Sequence, residues 1–294
     1  MEIQRSLMFV PGHSEKMVTK ALGLTNLDTA MFDLEDGTPP ALKDGARDVV
    51  ATALGSAPGG PHRFVRINAI ATDRMEADLH AVVRTGVEGL VLPKVERADE
   101  VVLVDRLLSE MEPRVGLASG AIALIATIES ATGLLNAPSI AASTPRVTGL
   151  MFGAEDFALD LGLSTNREGE AREMVYARSA VAVAAASAHV QAIDGVWPDI
   201  RDFDGVRRDA IQARRLGFSG KSTFHPGQID ILNEVFSPSP EEVEYAMRVV
   251  EAFEEAQAAG QAAIAFGGQL IDLPIVERAR RVLRLQQAKG VANV

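Results

Sequence analysis

The 294-residue chain has no cysteine, which excludes a disulfide framework, a thiol nucleophile and a thiolate metal site. Any metal must therefore be held by oxygen or imidazole ligands. Positive charge is also in short supply. There are 29 Lys and Arg against 40 Asp and Glu, and the formal net charge of −11 argues against nucleic acid or an anionic membrane as the main partner. An anionic substrate would need a local basic pocket. The alanine-rich run Ser179–Ala188 falls far short of the roughly 20 apolar residues that span a bilayer, and it reads as a buried helix. Met1–Gly12 shows no cationic segment followed by an apolar stretch and a small-residue cleavage site, so the cytoplasm is the expected location. HExxH, GxSxG, the dinucleotide GxGxxG and the P-loop pattern are all missing, which counts against zinc-protease, hydrolase, Rossmann and P-loop readings.

What is present is the composition of a globular protein, 47% hydrophobic and 23% charged with no low-complexity block. The length suits an α/β barrel of about 250 residues with an appendage. Eight short apolar runs alternate with helix-like stretches: Ser6–Val10, Thr29–Glu35, Arg63–Asn68, Gly89–Lys94, Ala123–Glu129, Val147–Asp156, Val190–Val196 and Lys221–His225. Helical candidates between them are Glu15–Leu24, Leu42–Leu54, Arg74–Thr85, Ala98–Glu110, Glu170–Ala188 and Arg201–Leu216. Eight βα units predict a TIM (β/α)8 barrel. Nearly every run ends in glycine, proline or an ionisable group, Asp194 of the seventh among them, and catalytic groups of such barrels sit at that edge. Ser237-Pro-Ser-Pro240 breaks the alternation, so residues 1–236 read as the barrel and 237–294 as a C-terminal helical extension suited to a subunit interface, with helices over Glu241–Gly260 and Val276–Gln287.

Several strand ends carry residues fit for chemistry. Met31-Phe-Asp-Leu-Glu-Asp36 places Asp33, Glu35 and Asp36 where an apolar strand emerges, which is costly unless they meet water, a cation or hydrogen-bond donors. An acidic helix cap or a solvated loop is the plainer alternative. Glu129 and Asp156 end consecutive strands, so their side chains can converge on one cation; hard oxygen ligands completed by water and substrate suit Mg²⁺. Asp160, one helical turn beyond Asp156, is expected to be structural. Arg66 offers paired donors to a substrate carboxylate or an incipient enolate, or else a salt bridge to Glu35 or Asp36. Lys94 suits an ion pair with a neighbouring acid better than a Schiff base. Pro11-Gly-His-Ser-Glu-Lys16, with Lys20 a turn further on, suits phosphate or is simply a solvated lysine face. His225 donates to a ligand or fixes the last loop.

Taken together and in order, several segments resemble the citrate lyase β-subunit-like branch of the HpcH/HpaI aldolase superfamily. They are Arg5-Ser-Leu-Met-Phe-Val-Pro-Gly12, Asp33-Leu-Glu-Asp-Gly37, Val65-Arg-Ile-Asn68, Leu92-Pro-Lys-Val95, Ile128-Glu129, Phe152-Gly-Ala-Glu-Asp156, Tyr176-Ala-Arg-Ser179, His225-Pro-Gly-Gln228 and Ile271-Asp-Leu-Pro274. The resemblance implies Mg²⁺ held by Glu129 and Asp156, Arg66 on the reacting oxygens, and Glu35 and Asp36 as the supporting acidic shell. It implies that Asp272 reaches from a neighbouring subunit to exchange a proton with the acyl methyl carbon, hence a homo-oligomer, a trimer or a dimer of trimers. It also implies that the backbone N–H groups of Gly153, Ala154, Glu155 and Asp156 bind a 2-oxo-acid carboxylate, and that Lys16 and Lys20 face the phosphates of coenzyme A.

The activity so implied is Mg²⁺-dependent carbon–carbon cleavage of a 3-hydroxyacyl-CoA, of citramalyl-CoA or malyl-CoA type, to acetyl-CoA and a 2-oxo acid, with the same groups able to run the condensation. Rival readings are an aldolase acting on a free 4-hydroxy-2-oxo acid, which would not need Asp272, a citryl lyase subunit acting on a carrier-protein thioester, and a noncatalytic acyl-CoA-binding paralogue. Ser130 and Thr38 depart from the family's usual threonine and branched aliphatic residue, and Thr223-Phe224 from its commoner Cys-Ile pair. None of these removes a ligand, but the first two lie near the mouth and bear on substrate choice.

Overall fold

Strands form where the sequence runs apolar without alternating, because a strand covered on both faces has no side to give to water. The computed structural model describes residues 3–56, 59–164, 171–260 and 262–291. Its first eight strands are β1 (Ser6–Pro11), β2 (Thr29–Asp33), β3 (His62–Arg66), β4 (Gly89–Leu92), β5 (Ala123–Ile128), β6 (Val147–Phe152), β7 (Gln191–Asp194) and β8 (Gly220–Thr223). They pair in parallel and in chain order, and β8 returns to β1 to close the barrel. Leu7, Met31, Phe64, Val91, Ile125, Met151 and Ile193 fill its interior, each at most 2% exposed. Burial of such side chains stabilises by roughly 1.5–3 kcal/mol apiece.

Most strands stop short of the run that announced them. Pairing ends at Asp33 rather than Glu35, at Ile128 rather than Glu129 and at Phe152 rather than Asp156. The polar residues just beyond belong to the turns that follow or, for Glu155 and Asp156, to the start of the next helix, and so they stand at the mouth instead of in the ladder.

Helices alternate with the strands: α1 (Glu15–Leu22), α2 (Lys43–Leu54), α3 (Met75–Val82), α4 (Ala98–Met111), α5 (Ala131–Ala141), α6 (Ala154–Asp160), α7 (Val175–Ser187) and α8 (Phe203–Leu216). Local caps set their starts: Ser14 Oγ accepts from Met17 N, Ser130 Oγ from Gly133 N and an Asp202 carboxylate oxygen from Gly205 N. Helix α7 begins later than expected, after a 3-10 turn over Arg172–Met174; Glu170 lies outside the described residues. The sequence reading did not anticipate α5 or α6. Helix α5 contains Gly133 and an internal Pro138, which dilute a helical pattern, and α6 is only seven residues long.

Contacts divide the chain into two units between Leu232 and Asn233, within the short helix α9 (Ile229–Val235). In the second unit α10 (Pro240–Ala258) opens with a capping box in which Ser239 and Glu242 exchange side-chain and backbone bonds, and Pro240 stands at the first helical turn. The Ser-Pro-Ser-Pro break is therefore a helix start. An antiparallel hairpin, β9 (Ile264–Phe266) and β10 (Gln269–Ile271), follows before α11 (Leu273–Val291). The extension is thus helical with one hairpin inserted. Gly267 and Gly268, at φ 59° and 80°, make its two-residue turn, and Gly-Gly between two short, largely apolar segments is a hairpin signal. Ala246, Val249, Phe253, Ile271, Val276 and Ala279 form this unit's own core. No helix among the described residues is long and apolar enough to cross a membrane.

Candidate active site

The acidic turn after β2 is organised around Arg66, at the end of the neighbouring strand. Arg66 Nε donates to Asp33 Oδ1 (2.8 Å) and Nη2 to Asp33 Oδ2 (2.5 Å), while the backbone amides of Glu35 and Gly37 donate to the same two oxygens at 2.8 and 2.9 Å. Asp33 is consequently saturated and serves as an anchor. Arg66 Nη1 also meets Glu35 Oε2 at 3.2 Å, and its guanidinium lies 4.6 Å from the centre of the Phe9 ring. Burial opposes the Arg66 charge, but the Asp33 and Glu35 carboxylates outweigh it and raise its pKa further. Among the three acids, then, Arg66 pairs with Asp33 first and Glu35 second, whereas the sequence offered Glu35 or Asp36.

Lys94 bridges this turn to Glu129. Its Nζ donates to Glu35 Oε1 (2.7 Å) and Asp36 Oδ2 (3.0 Å), and its backbone N donates to Glu129 Oε1 (2.5 Å) from a left-handed conformation at φ 53°. Burial would lower the lysine pKa, but the two carboxylates raise it instead. A lysine held protonated in this way is a poor Schiff-base nucleophile, and the ion pair is the reading the geometry supports. Asp36, the exposed member, would be raised by its partial burial; the Lys94 ammonium and Arg66 outweigh that and hold it below the usual carboxylate range.

Glu129 is buried at 5% exposure, and that burial, reinforced by the negative charge of Asp156, pushes its carboxyl up to about 8. Gly153 allows this arrangement, since a Cβ there would fall 2.3 Å from Glu129 Oε2. Asp156 and Glu155 occupy the first turn of α6. The Gly153 N–H already donates to Ile128 O (3.0 Å), so of the four amides expected to bind a carboxylate, Gly153's is committed to the backbone. Among the described residues no three acidic or histidine side chains form a ready-made metal cage. Two carboxylates, one of them pushed toward protonation by burial and by the charge of the other, do fit a hard divalent cation that keeps water or substrate as its remaining ligands.

Other sequence candidates fall elsewhere. Asp194 does not face the mouth: Ile193 packs inside the barrel, so Asp194 points outward and lies buried against Arg178 and Lys221. Asp160 accepts from Ala131 N (2.7 Å), tying α6 to the start of α5. His225 Nδ1 accepts from Gly227 N (3.1 Å) and fixes the last loop. Ser130 Oγ donates to Glu96 Oε1 (2.8 Å) while capping α5, and Thr38 Oγ1 donates to Asp33 O (2.6 Å), so both family departures have structural work in their own loops. Lys16 and Lys20 are exposed on α1, and among the described residues neither forms a salt bridge. Asp272 belongs to the second unit, where its carbonyl oxygen accepts from Ile275 N and Val276 N at the start of α11.

Sequence reasoning missed Lys43. Its Nζ donates to Leu34 O (2.9 Å) and Glu35 O (3.0 Å) and also reaches Asn68 Oδ1, pinning the acidic turn from below. A lysine at the first position of an amphipathic helix carries no signal that would single it out.

A closed parallel barrel with buried carboxylates, an anchored guanidinium and a bridging ammonium at the carboxyl ends of its strands is an enzyme of the TIM-barrel class. Residues 5–226 match the HpcH/HpaI aldolase/citrate lyase family model, and the chain belongs to that family as a lyase. It is 38% identical to citrate lyase subunit beta of Leuconostoc mesenteroides subsp. cremoris, covering 99% of this chain and 96% of the relative. It is 37% identical to a (3S)-malyl-CoA thioesterase of Cereibacter sphaeroides, covering 97% and 95%. Protein CitE of Mycobacterium tuberculosis, solved with magnesium, acetoacetate and coenzyme A, superposes with a TM-score of 0.78 at 31% identity, covering 95% of this chain and 96% of that one.

Proposed function

We propose that the protein cleaves a 3-hydroxyacyl-CoA thioester of citramalyl-CoA or malyl-CoA type, giving acetyl-CoA and a 2-oxo acid. The observation that carries this reading is the buried Glu129 carboxylate beside Asp156, at the same mouth as an Arg66 locked by Asp33 and Glu35. Glu129 and Asp156 would hold Mg²⁺, which when bound supplies Lewis acidity toward the hydroxyl and carboxylate of the acid half. Arg66 is fixed by four contacts, so it donates to the thioester oxygen without reorganising as the enolate charge develops. The hydroxyl proton passes to solvent at the mouth, the carbon–carbon bond breaks with its electrons passing to the thioester α-carbon, and Asp272 of a neighbouring subunit, as general acid, gives its own proton to that carbon and regains one from solvent. Lys16 and Lys20 lie free to meet coenzyme A phosphates, and the α6 amides the acid carboxylate. A homo-oligomer follows from the role given to Asp272.

Gly153→Ala is expected to weaken Mg²⁺ binding by about tenfold or more, because the new methyl displaces Glu129. Titration calorimetry of Mg²⁺ into metal-free protein measures this, and unchanged affinity would remove Glu129 from the site.

The test of the whole reading is incubation with citramalyl-CoA and malyl-CoA, with Mg²⁺ or excess EDTA, following acetyl-CoA and 2-oxo acid separately. Release of both products only with Mg²⁺ supports the lyase. Release of free coenzyme A without a 2-oxo acid would point to thioester hydrolysis, the activity named for the Cereibacter relative. A carrier-protein citryl thioester is the second reading, favoured by the citrate lyase subunit beta relative. Turnover of that substrate alone would select it.

A further inference from the structure

Thr127 stands on β5 between Ile125, part of the barrel's interior cluster, and Glu129 at the mouth. Side chains two apart on a strand share a face, so the Thr127 hydroxyl enters the barrel interior one step below the Glu129 position. It is 4% exposed, and its Oγ1 has no hydrogen-bond partner among the described residues. Its register neighbour on β6 is Met151, and the interior beneath it is lined by Val91 and Ile125, none of which offers a strong acceptor or donor.

The contrast with other threonine and serine hydroxyls of the barrel is plain. Thr29 Oγ1 donates to Gln4 Oε1 (2.7 Å), Thr38 to Asp33 O (2.6 Å), Ser222 to Asp194 O (3.2 Å) and Thr223 to Gln228 Oε1 (2.6 Å). A buried hydroxyl without a partner forfeits the bonds it had in water, and such groups call for an explanation. Valine has the same shape and would fill the position without that loss. The floor of the site therefore carries a polar atom for which the folded chain has no use of its own.

We propose that Thr127 is a specificity-determining contact to the acid half of the substrate, its Oγ1 donating to an oxygen of a short 2-oxo acid that reaches the barrel floor. This rests on the proposed function above, which places the acid half at Glu129 and Asp156. With Met151, Val91 and Ile125 as its neighbours, this hydroxyl is a single polar contact among apolar side chains, which favours a short acid of glyoxylate or pyruvate size over one carrying a second polar group.

The experiment uses the full chain with Thr127→Val, which removes the hydroxyl and keeps the shape, and Thr127→Ser, which keeps the hydroxyl. Glyoxylate and pyruvate are titrated calorimetrically into each protein with Mg²⁺ present, and the ligand-free proteins are melted in parallel. Thr127→Val should bind the acids about tenfold more weakly while melting no lower than the wild type, and Thr127→Ser should stay within about twofold of wild-type affinity. Equal affinity in wild type and Thr127→Val overturns the contact and leaves the proposed function standing. A ligand-free Thr127→Val that melts lower, with Thr127→Ser at the wild-type value, overturns it in favour of a structural hydroxyl. A wild-type chain that binds neither acid overturns both this inference and the reading it rests on.

Discussion

Glu129→Gln should lower kcat/KM by about a hundredfold or more, and in the metal-free protein it should at the same time remove a pH-dependent destabilisation. The first effect follows from taking one of two carboxylates away from the proposed cation site while keeping shape and burial. The second follows from the sign of the pKa shift. Burial and the Asp156 charge raise the folded-state carboxyl from the ordinary 4.5 to about 8, so between those values the folded chain holds a proton that the unfolded chain has released. Stability is fully present below about 4.5, falls as pH rises toward about 8, and levels off above it. Glutamine carries no such proton. Melting temperatures of metal-free wild type and variant, taken from pH 5 to 9, should converge at low pH and separate at high pH in favour of the variant. Saturating Mg²⁺ should reverse the high-pH order. A difference that stays flat with pH would reject the buried-carboxylate account, and a variant with normal turnover would reject the role.

The largest loss of stability is expected from Arg178→Met. Arg178 is fully buried; its Nε and Nη2 donate to Asp194 at 3.1 and 2.8 Å, and Nη1 lies 3.1 Å from Asp209. Lys221 Nζ sits 2.5 Å from both of the same aspartates and donates to Gly195 O. Two cations thus face two anions between α7, β7, α8 and β8, and burial, which opposes the Arg178 charge, is outweighed by Asp194 and Asp209. Methionine would leave two carboxylates on one ammonium in a dry interior. Breaking such a cluster costs about 3–5 kcal/mol, so chemical denaturation should show a fall of that size. A change under about 1 kcal/mol would mean that water enters to replace the guanidinium.

Asp194 also shows where sequence reading runs out. It ends an apolar run just as Glu129 does, and from the sequence the two are alike. The difference is one residue of parity: Ile193 fills the barrel interior, so its neighbour must face the helices, whereas Glu129 falls beyond the last paired residue of β5 and turns to the mouth. The acids after β2 behave similarly. Asp33, Glu35 and Asp36 look equivalent in the chain, yet Asp33 is consumed by Arg66 and two backbone amides, Glu35 is shared between Arg66 and Lys94, and Asp36 is left largely in water. Their partners lie 33 and 59 residues away, a separation over which local pattern says nothing. The Gly267-Gly268 hairpin, by contrast, is encoded locally, because paired glycines adopt the positive φ that its two-residue turn requires.

The amino-acid sequence by itself determined the architecture and the family. Unalternating apolar runs can be buried only in a sheet covered on both sides, the alternation with helices makes that sheet parallel, and the order of short motifs along the chain is specific even where each motif is weak. Only the tertiary structure decided what each charged group does. A carboxylate's role depends on how deeply it is buried and on which cation or amide reaches it, and both are properties of strands brought together by barrel closure rather than of neighbours in the chain.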